Sequence, residues 1–441
     1  MGTLVMAAQL IASLSLLVFI HELGHFLAAK AFGMRVDKFF IFFDAWGKRL
    51  WSTKIGETEY GIGWLPLGGY VKIAGMVDES MDKEQMAKEP QEWEFRSKPA
   101  WQRFIVMVGG IVMNLILGVI IFAGYLSHYE KDYIPVAEMD KGIYAFDMGE
   151  EMGFQTGDKI LTVNGKTPIR FKDAKGMEVI FGADVEVERN GQREKIEIPG
   201  SVFKKLKGQP IIEPFNHQVK VWGIADSSGA KEAGLEPDDV FVAINNKKVR
   251  NYGDLKNTLE ANKNGSVSLT VERDGKELDL TGKVSDAGKL GFAPKYDGKA
   301  VNTTKTYSFG ETVTYGMREG WETIYYNAVG LGKIFTGDVD PVESVQSPIG
   351  IARIFGDVWN WERFWKLTGL LSFVLAFMNI LPIPALDGGH MMFLTFEMLT
   401  GRSLSDNFLE KAQMVGMMIL LPLMLFAIGK DIWIGVMSLF N

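Results

Sequence analysis

The sequence predicts a polytopic α-helical membrane protein with a β-rich, water-exposed insert. Three observations predict it. Apolar residues make up 47% of the 441-residue chain. They concentrate in the first 30 residues, in 101–126 and from about 361 onward, in runs long enough to reach across a bilayer. The middle of the chain is charged, and a pattern of strand-like runs and turn residues recurs within it.

Composition excludes several classes. The net charge of −7 gives no basic signal for nucleic acid. There are no cysteines, so disulfide scaffolds and thiol chemistry are absent. The first apolar run has neither a positive n-region nor a small-residue cleavage site, so it is expected to be retained as a span.

The first span covers 1–32 and ends on His21-Glu22-Leu23-Gly24-His25. Residues four apart lie one turn apart on one helix face. His21 and His25 can therefore present ring nitrogens to one metal ion, with Glu22 beside them to take a proton from water. Only five histidines occur in the chain. Roughly a few sequences in a thousand of this kind would carry such a motif by chance, and a packed structural histidine is the ordinary alternative. Ionisable groups at membrane depth are costly and mark function.

Residues 33–100 carry many Lys and Arg, including Arg35, Lys38, Lys48, Arg49, Lys54 and Lys72, which places them in the cytoplasm and the N-terminus outside. Stretches 35–43, 57–62 and 70–74 read as short strands. Phe39, Phe40, Phe42, Phe43, Trp46, Trp51 and Trp64 lie among them. Two readings stand: a small sheet at the membrane–water interface, or a re-entrant sheet whose edge holds a substrate as an added strand. Residues 77–98 read as a charged surface stretch. The second span, 101–126, contains Gly109 and Gly110, which permit close packing. It also contains Asn114, which either meets a neighbouring helix or faces a catalytic cavity.

Alternation puts 128–300 outside, in two modules at 128–205 and 206–300. Residues 153–165 align with 234–246, and Val187-Glu188-Arg189-Asn190-Gly191 aligns with Val271-Glu272-Arg273-Asp274-Gly275. Asn-Gly and Asp-Gly between strand-like runs are hairpin turns. The pattern resembles the circularly permuted bacterial PDZ domain, a family that binds peptides by strand addition, so peptide C-termini are candidate partners. A size filter is the other reading. Asp238 and Asn246 replace two glycines of the first copy.

Residues 301–360 read as amphipathic segments on the membrane surface. The third span, 361–400, breaks at Asn379-Ile380-Leu381-Pro382-Ile383-Pro384-Ala385-Leu386-Asp387-Gly388-Gly389-His390. Two prolines and two glycines halt a helix at membrane depth. Asp387 supplies a reason, because two His and one carboxylate complete a catalytic zinc site. A helix N-cap is the alternative role for Asp387, and His390 is a rival ligand. The fourth span lies within 405–441.

With these motifs together, the chain resembles the site-2 protease family of intramembrane zinc metalloproteases, over nearly its whole length. Pro66-Leu67-Gly68-Gly69-Tyr70-Val71-Lys72 is similar to a motif of that family. The resemblance implies four transmembrane helices, a membrane-associated β-sheet and two PDZ-like domains inserted between helices 2 and 3. It implies zinc on His21, His25 and Asp387, Glu22 as general base, and Asn379 holding substrate backbone. It implies a bacterial inner membrane, with the modules and both termini periplasmic and the active site towards the cytoplasmic side. The implied substrates are pre-cleaved single-span proteins of anti-sigma-factor type and remnant signal peptides. Relatives commonly carry Gly-Pro where this chain has Gly110-Ile111. A non-catalytic membrane-anchored scaffold and a metal-dependent transporter are the rival classes.

Overall fold

The computed structural model describes residues 2–66, 68–76, 89–129, 132–176, 179, 182–200, 211–215, 219–225, 228–249, 251–295, 303–304, 306–337 and 347–437. The charged stretch at 77–88, Leu67 and the module boundary at 205/206 lie outside the described residues. The chain divides into two units, Met1–Tyr129 with Tyr307–Asn441, and Glu130–Thr306.

The first unit is built on α1 (Gly2–Ala31) and α2 (Ala100–Tyr129), each of 30 residues. At 1.5 Å per residue each reaches about 45 Å, more than the roughly 30 Å of a hydrocarbon core. Among the described residues these two helices are long and apolar enough to cross a membrane. Three further helices occupy the expected third and fourth spans: α5 (Trp361–Ile380), α6 (Asp387–Thr400) and α7 (Asp406–Met437).

Close backbone approach explains the glycines of this bundle. A Cβ on Gly24 would stand 2.2 Å from the Gly109 carbonyl oxygen, so α1 and α2 cross backbone to backbone. Gly118 faces the Phe373 ring of α5, and Phe122 stacks on that ring at 5.8 Å. Hydrogen bonds tie the helices at buried polar positions. Thr368 Oγ1 and Ser13 Oγ share a hydrogen bond at 2.9 Å, and Gln9 Nε2 donates to the Gly356 carbonyl at 2.9 Å. Such interhelical bonds contribute about 0.6 kcal/mol each on average, so packing sets the arrangement.

Within 301–360 the chain forms α3 (Phe309–Phe335) and α4 (Pro348–Phe355). Ser308 and Glu311 close a capping box at the start of α3. Gly316 and Gly320, one turn apart, seat α3 against Val119 of α2 and Phe373 of α5. One face of this helix is therefore packed on the bundle, while Trp321 and Tyr325 stay exposed.

Four strands follow α1 in a sheet of order β2-β3-β1-β4. They are β1 (Val36–Ile41), β2 (Arg49–Ile55), β3 (Thr58–Gly63) and β4 (Tyr70–Ile73). Three of them match the expected stretches, and β2 is an addition. β1 and β3 are parallel, while β4 runs antiparallel to β1 with Phe39 opposite Val71. The aromatic set divides. Phe39 and Phe40 are buried, whereas Trp46 and Trp64 stack at 5.7 Å on the exposed side. The sheet packs on α1 beside the His motif, with Phe39 against Phe19 and Phe26.

The second unit holds two related cores. The first surrounds β6 (Lys159–Val163), β7 (Ala183–Arg189) and β8 (Gln192–Ile198). β5 (Ile143–Ala145) pairs with β9 (Ile212–Pro214), and Ile211 and Ile212 belong to this first core. The first module therefore extends past residue 205. The second core surrounds β10 (Val219–Ile224), β11 (Val240–Ile244), β12 (Ser266–Arg273) and β13 (Lys276–Lys283).

The repeated sequence encodes repeated geometry. Asn190-Gly191 and Asp274-Gly275 both have two successive positive φ angles, the twist a two-residue hairpin requires. Asp238 and Asn246 keep the positive φ of Gly157 and Gly165, which Asp and Asn tolerate. Arg189 donates to both carboxylate oxygens of Asp158, at 2.8 Å each, and to the Gly153 carbonyl. Arg273 repeats all of this with Asp239, at 2.7 Å each, and with Gly234. Bonds to these carboxylates raise the pKa of both guanidinium groups above the usual arginine value. The shared Gly, Asp and Arg positions thus form a brace in each module, with its carboxylate buried.

Candidate metal centre

The first two donors come from α1. One helical turn places His21 and His25 on the same face, 8% and 5% exposed, with Nε2 atoms 3.2 Å apart. The third donor arrives from the break after α5. Ala385 turns back with φ of 80°, and α6 restarts at Asp387. Cβ atoms on Gly388 and Gly389 would stand 2.1 Å from the Leu381 oxygen and 2.6 Å from the Ile383 oxygen, so only glycines let the new helix begin this tightly. Leu386, not Asp387, is the N-cap, with no side-chain cap bond. The Asp387 carboxylate turns instead to the imidazoles. Its Oδ2 lies 3.1 Å from His21 Nε2 and 3.3 Å from His25 Nε2.

This triangle fits a metal. Donors about 2.0–2.1 Å from a tetrahedral zinc ion stand roughly 3.3 Å from each other. The three observed edges are 3.1, 3.2 and 3.3 Å. Buried Asp387 Oδ2 has no aligned hydrogen-bond donor despite its two near neighbours. The Val106 carbonyl can only accept, so His25 carries its proton on Nδ1, 2.8 Å away, and turns the Nε2 lone pair inward. Electron-rich atoms this close repel unless a proton or cation lies among them. Two imidazoles and one carboxylate are a catalytic zinc donor set that leaves a fourth position open.

Glu22 stands next to this group on α1, outside the triangle, and the Val71 backbone N–H of β4 approaches its carboxylate. β4 is one edge of the sheet, whereas β3 is paired on both sides. The sheet edge at this site is therefore offered by 70–73 and not by β3. Asn379 is buried in the last turn of α5 and makes no side-chain hydrogen bond to the three donors. His390 is not a member of the triangle. It lines a separate cavity of about 540 Å³ with Arg103 and Glu397.

The second span contributes more than its sequence shows in isolation. Val106, Gly110 and Asn114 are spaced by four along α2, and all three are buried beside the histidines. Val106 bonds His25, and Asn114 Nδ2 lies 3.2 Å from His21 Nδ1. The spacing was readable, but the partners it meets were not.

Peptidase family M50 matches residues 9–423 of the chain. The chain belongs to peptidase family M50. It is a zinc-dependent intramembrane protease, and its apolar helix α1 carries the His motif. The regulator of sigma-E protease RseP of Escherichia coli is 29% identical, over 96% of this chain and 97% of its own length. Protease RseP of Yersinia pestis is 28% identical over the same shares, 96% and 97%. Metalloprotease MmpA of Caulobacter vibrioides is 26% identical, over 98% of this chain and 96% of its own.

Proposed function

We propose that His21, His25 and Asp387 are the zinc ligands and Glu22 the general base of a protease that cuts pre-cleaved, single-span membrane proteins within their transmembrane segments. The triangle of donor atoms with tetrahedral edge lengths carries this reading. When bound, the metal polarises a carbonyl and brings the pKa of water at its open position towards neutrality. Glu22 takes the proton of the attacking water and passes it to the leaving amine. Its place beside both imidazoles and outside the ligand triangle suits that task.

A transmembrane helix shields its carbonyls by internal hydrogen bonds, so the substrate must unwind. Among the described strands β4 is an edge of the sheet, next to Glu22, and an extended substrate segment pairs with it there, replacing bonds lost on unwinding. Asn379, in the turn before the break, holds substrate backbone near the metal.

The chain crosses the membrane four times, through α1, α2, α5 and the helix α7. The Lys and Arg of 33–100 keep that segment cytoplasmic, so the two modules and both termini lie outside the inner membrane. The modules are PDZ-like. They exclude intact substrates by size or hold a freshly made C-terminus. One relative is named a regulator of sigma-E protease, and an anti-sigma-factor type of substrate fits that name. Remnant signal peptides are the second class.

The test is cleavage in proteoliposomes of a reporter span carrying either a short or a large folded outer domain. Expected are a cut within the span, preference for the short form, and loss of cleavage with a zinc chelator that added zinc reverses. Cleavage that survives complete zinc removal, or flux of a metal with no cleavage, would contradict the reading.

A further inference from the structure

We propose that Asn114 is a positioning residue for the metal centre. Its amide oxygen accepts the Nδ1–H of His21 and so holds the imidazole with Nε2 turned to the metal. This rests on the zinc-ligand reading above.

A histidine that binds a cation through Nε2 carries its proton on Nδ1, and the acceptor of that proton fixes ring and tautomer. His25 has the Val106 carbonyl. His21 Nδ1 meets the Asn114 side chain, at 3.2 Å. Asn114 is 0% exposed, at a depth where a polar group needs a reason. Its Nδ2 faces the ring, while its Oδ1 is buried without a donor. In that setting His21 carries its proton on Nε2, 3.1 Å from Asp387 Oδ2, in the space a cation would fill. Half a turn about the Cβ–Cγ bond exchanges the two ends of the amide, which have the same shape. Oδ1 then gains the donor it lacks, and the Nε2 lone pair faces the ligand triangle. The amide has two settings, one that keeps a proton in the site and one that admits the metal.

The surroundings hold Asn114 in place for this. A Cβ on Gly110 would stand 2.5 Å from His25 Nε2 and 2.7 Å from His21 Cε1, so glycine lets both rings rest on α2. One turn further on, Ser372 Oγ of α5 donates to the Asn114 backbone carbonyl at 2.7 Å. That bond ties this turn of α2 to the helix that leads to Asp387.

The test uses full-length protein in detergent, as wild type, Asn114→Leu and Asn114→Asp, with zinc affinity measured by competition against a chelator. Leu keeps the volume and removes the acceptor, whereas Asp keeps an acceptor. Loss of such an outer partner weakens metal binding by about 10–100-fold, which is expected for Asn114→Leu. Asn114→Asp is expected to hold zinc at least as tightly as wild type, and zinc-stripped Asn114→Leu to melt with stripped wild type. Equal affinity of Asn114→Leu and wild type, or equal loss in both variants, overturns the proposal. So does a stripped Asn114→Leu that melts far below stripped wild type, because the residue would then serve the fold. Wild-type zinc content in His25→Ala would instead overturn the ligand assignment itself.

Discussion

Glu22→Gln is expected to slow cleavage of a transmembrane reporter by at least about 100-fold while leaving bound zinc unchanged. A positioned general base contributes roughly 10²–10⁴-fold. Glu22 is beside the ligand triangle and not part of it, so the amide removes the proton acceptor without removing a donor to the metal. The change is nearly isosteric. The sheet should stay docked on α1. The measurement is initial rate in proteoliposomes with zinc content on the same sample. A variant that cleaves at near wild-type rate removes Glu22 from the chemistry. A variant that loses zinc makes Glu22 part of the metal's support.

Asp239→Ala is expected to destabilise the second module by about 1.5–3 kcal/mol, the usual scale for losing hydrogen bonds to a buried charged acceptor, while the partly exposed Arg273 keeps Glu236. Asp239 is fully buried and takes two bonds from Arg273. Its carboxylate also accepts from the Glu236 backbone N–H at 2.9 Å, so the turn before β11 loses its anchor with the pair. Against total domain stabilities of roughly 5–15 kcal/mol this is a large fraction. Asp158→Ala should do the same to the first module, where Asp158 holds Arg189 and the Gln155 N–H. Because the two cores are separate, each variant should open its own module to proteolysis first while zinc content stays at the wild-type level. Cleavage patterns and rates identical to wild type in both variants would show that the brace contributes little.

The features legible in the sequence are those whose cause is local. The His pair follows from one helical turn. The hairpins follow from Asn-Gly and Asp-Gly, whose positive φ angles are observed. The break between α5 and α6 was legible because two prolines and two glycines halt a helix. β2 was not legible. Its Arg49, Ser52, Thr53 and Lys54 break the apolar alternation, as an outward-facing edge strand allows. The seat of α3 depends on Gly316 and Gly320 finding Val119 and Phe373, which are far away in the chain. The role of α2 was hidden for the same reason. Val106 acts through a backbone carbonyl, which has no sequence signature, and Asn114 gains its meaning from His21, 93 residues away.

The claim that a single zinc ion is held by two turns of α1 and the restart of α6 is tested most directly by metal analysis of purified Asp387→Ala beside wild type. About one zinc per wild-type chain and loss of most of it in the variant are expected, since removing one of three protein ligands leaves only the two imidazoles. Full zinc retention in Asp387→Ala, with the protein folded, would contradict the assignment of Asp387 as the third ligand.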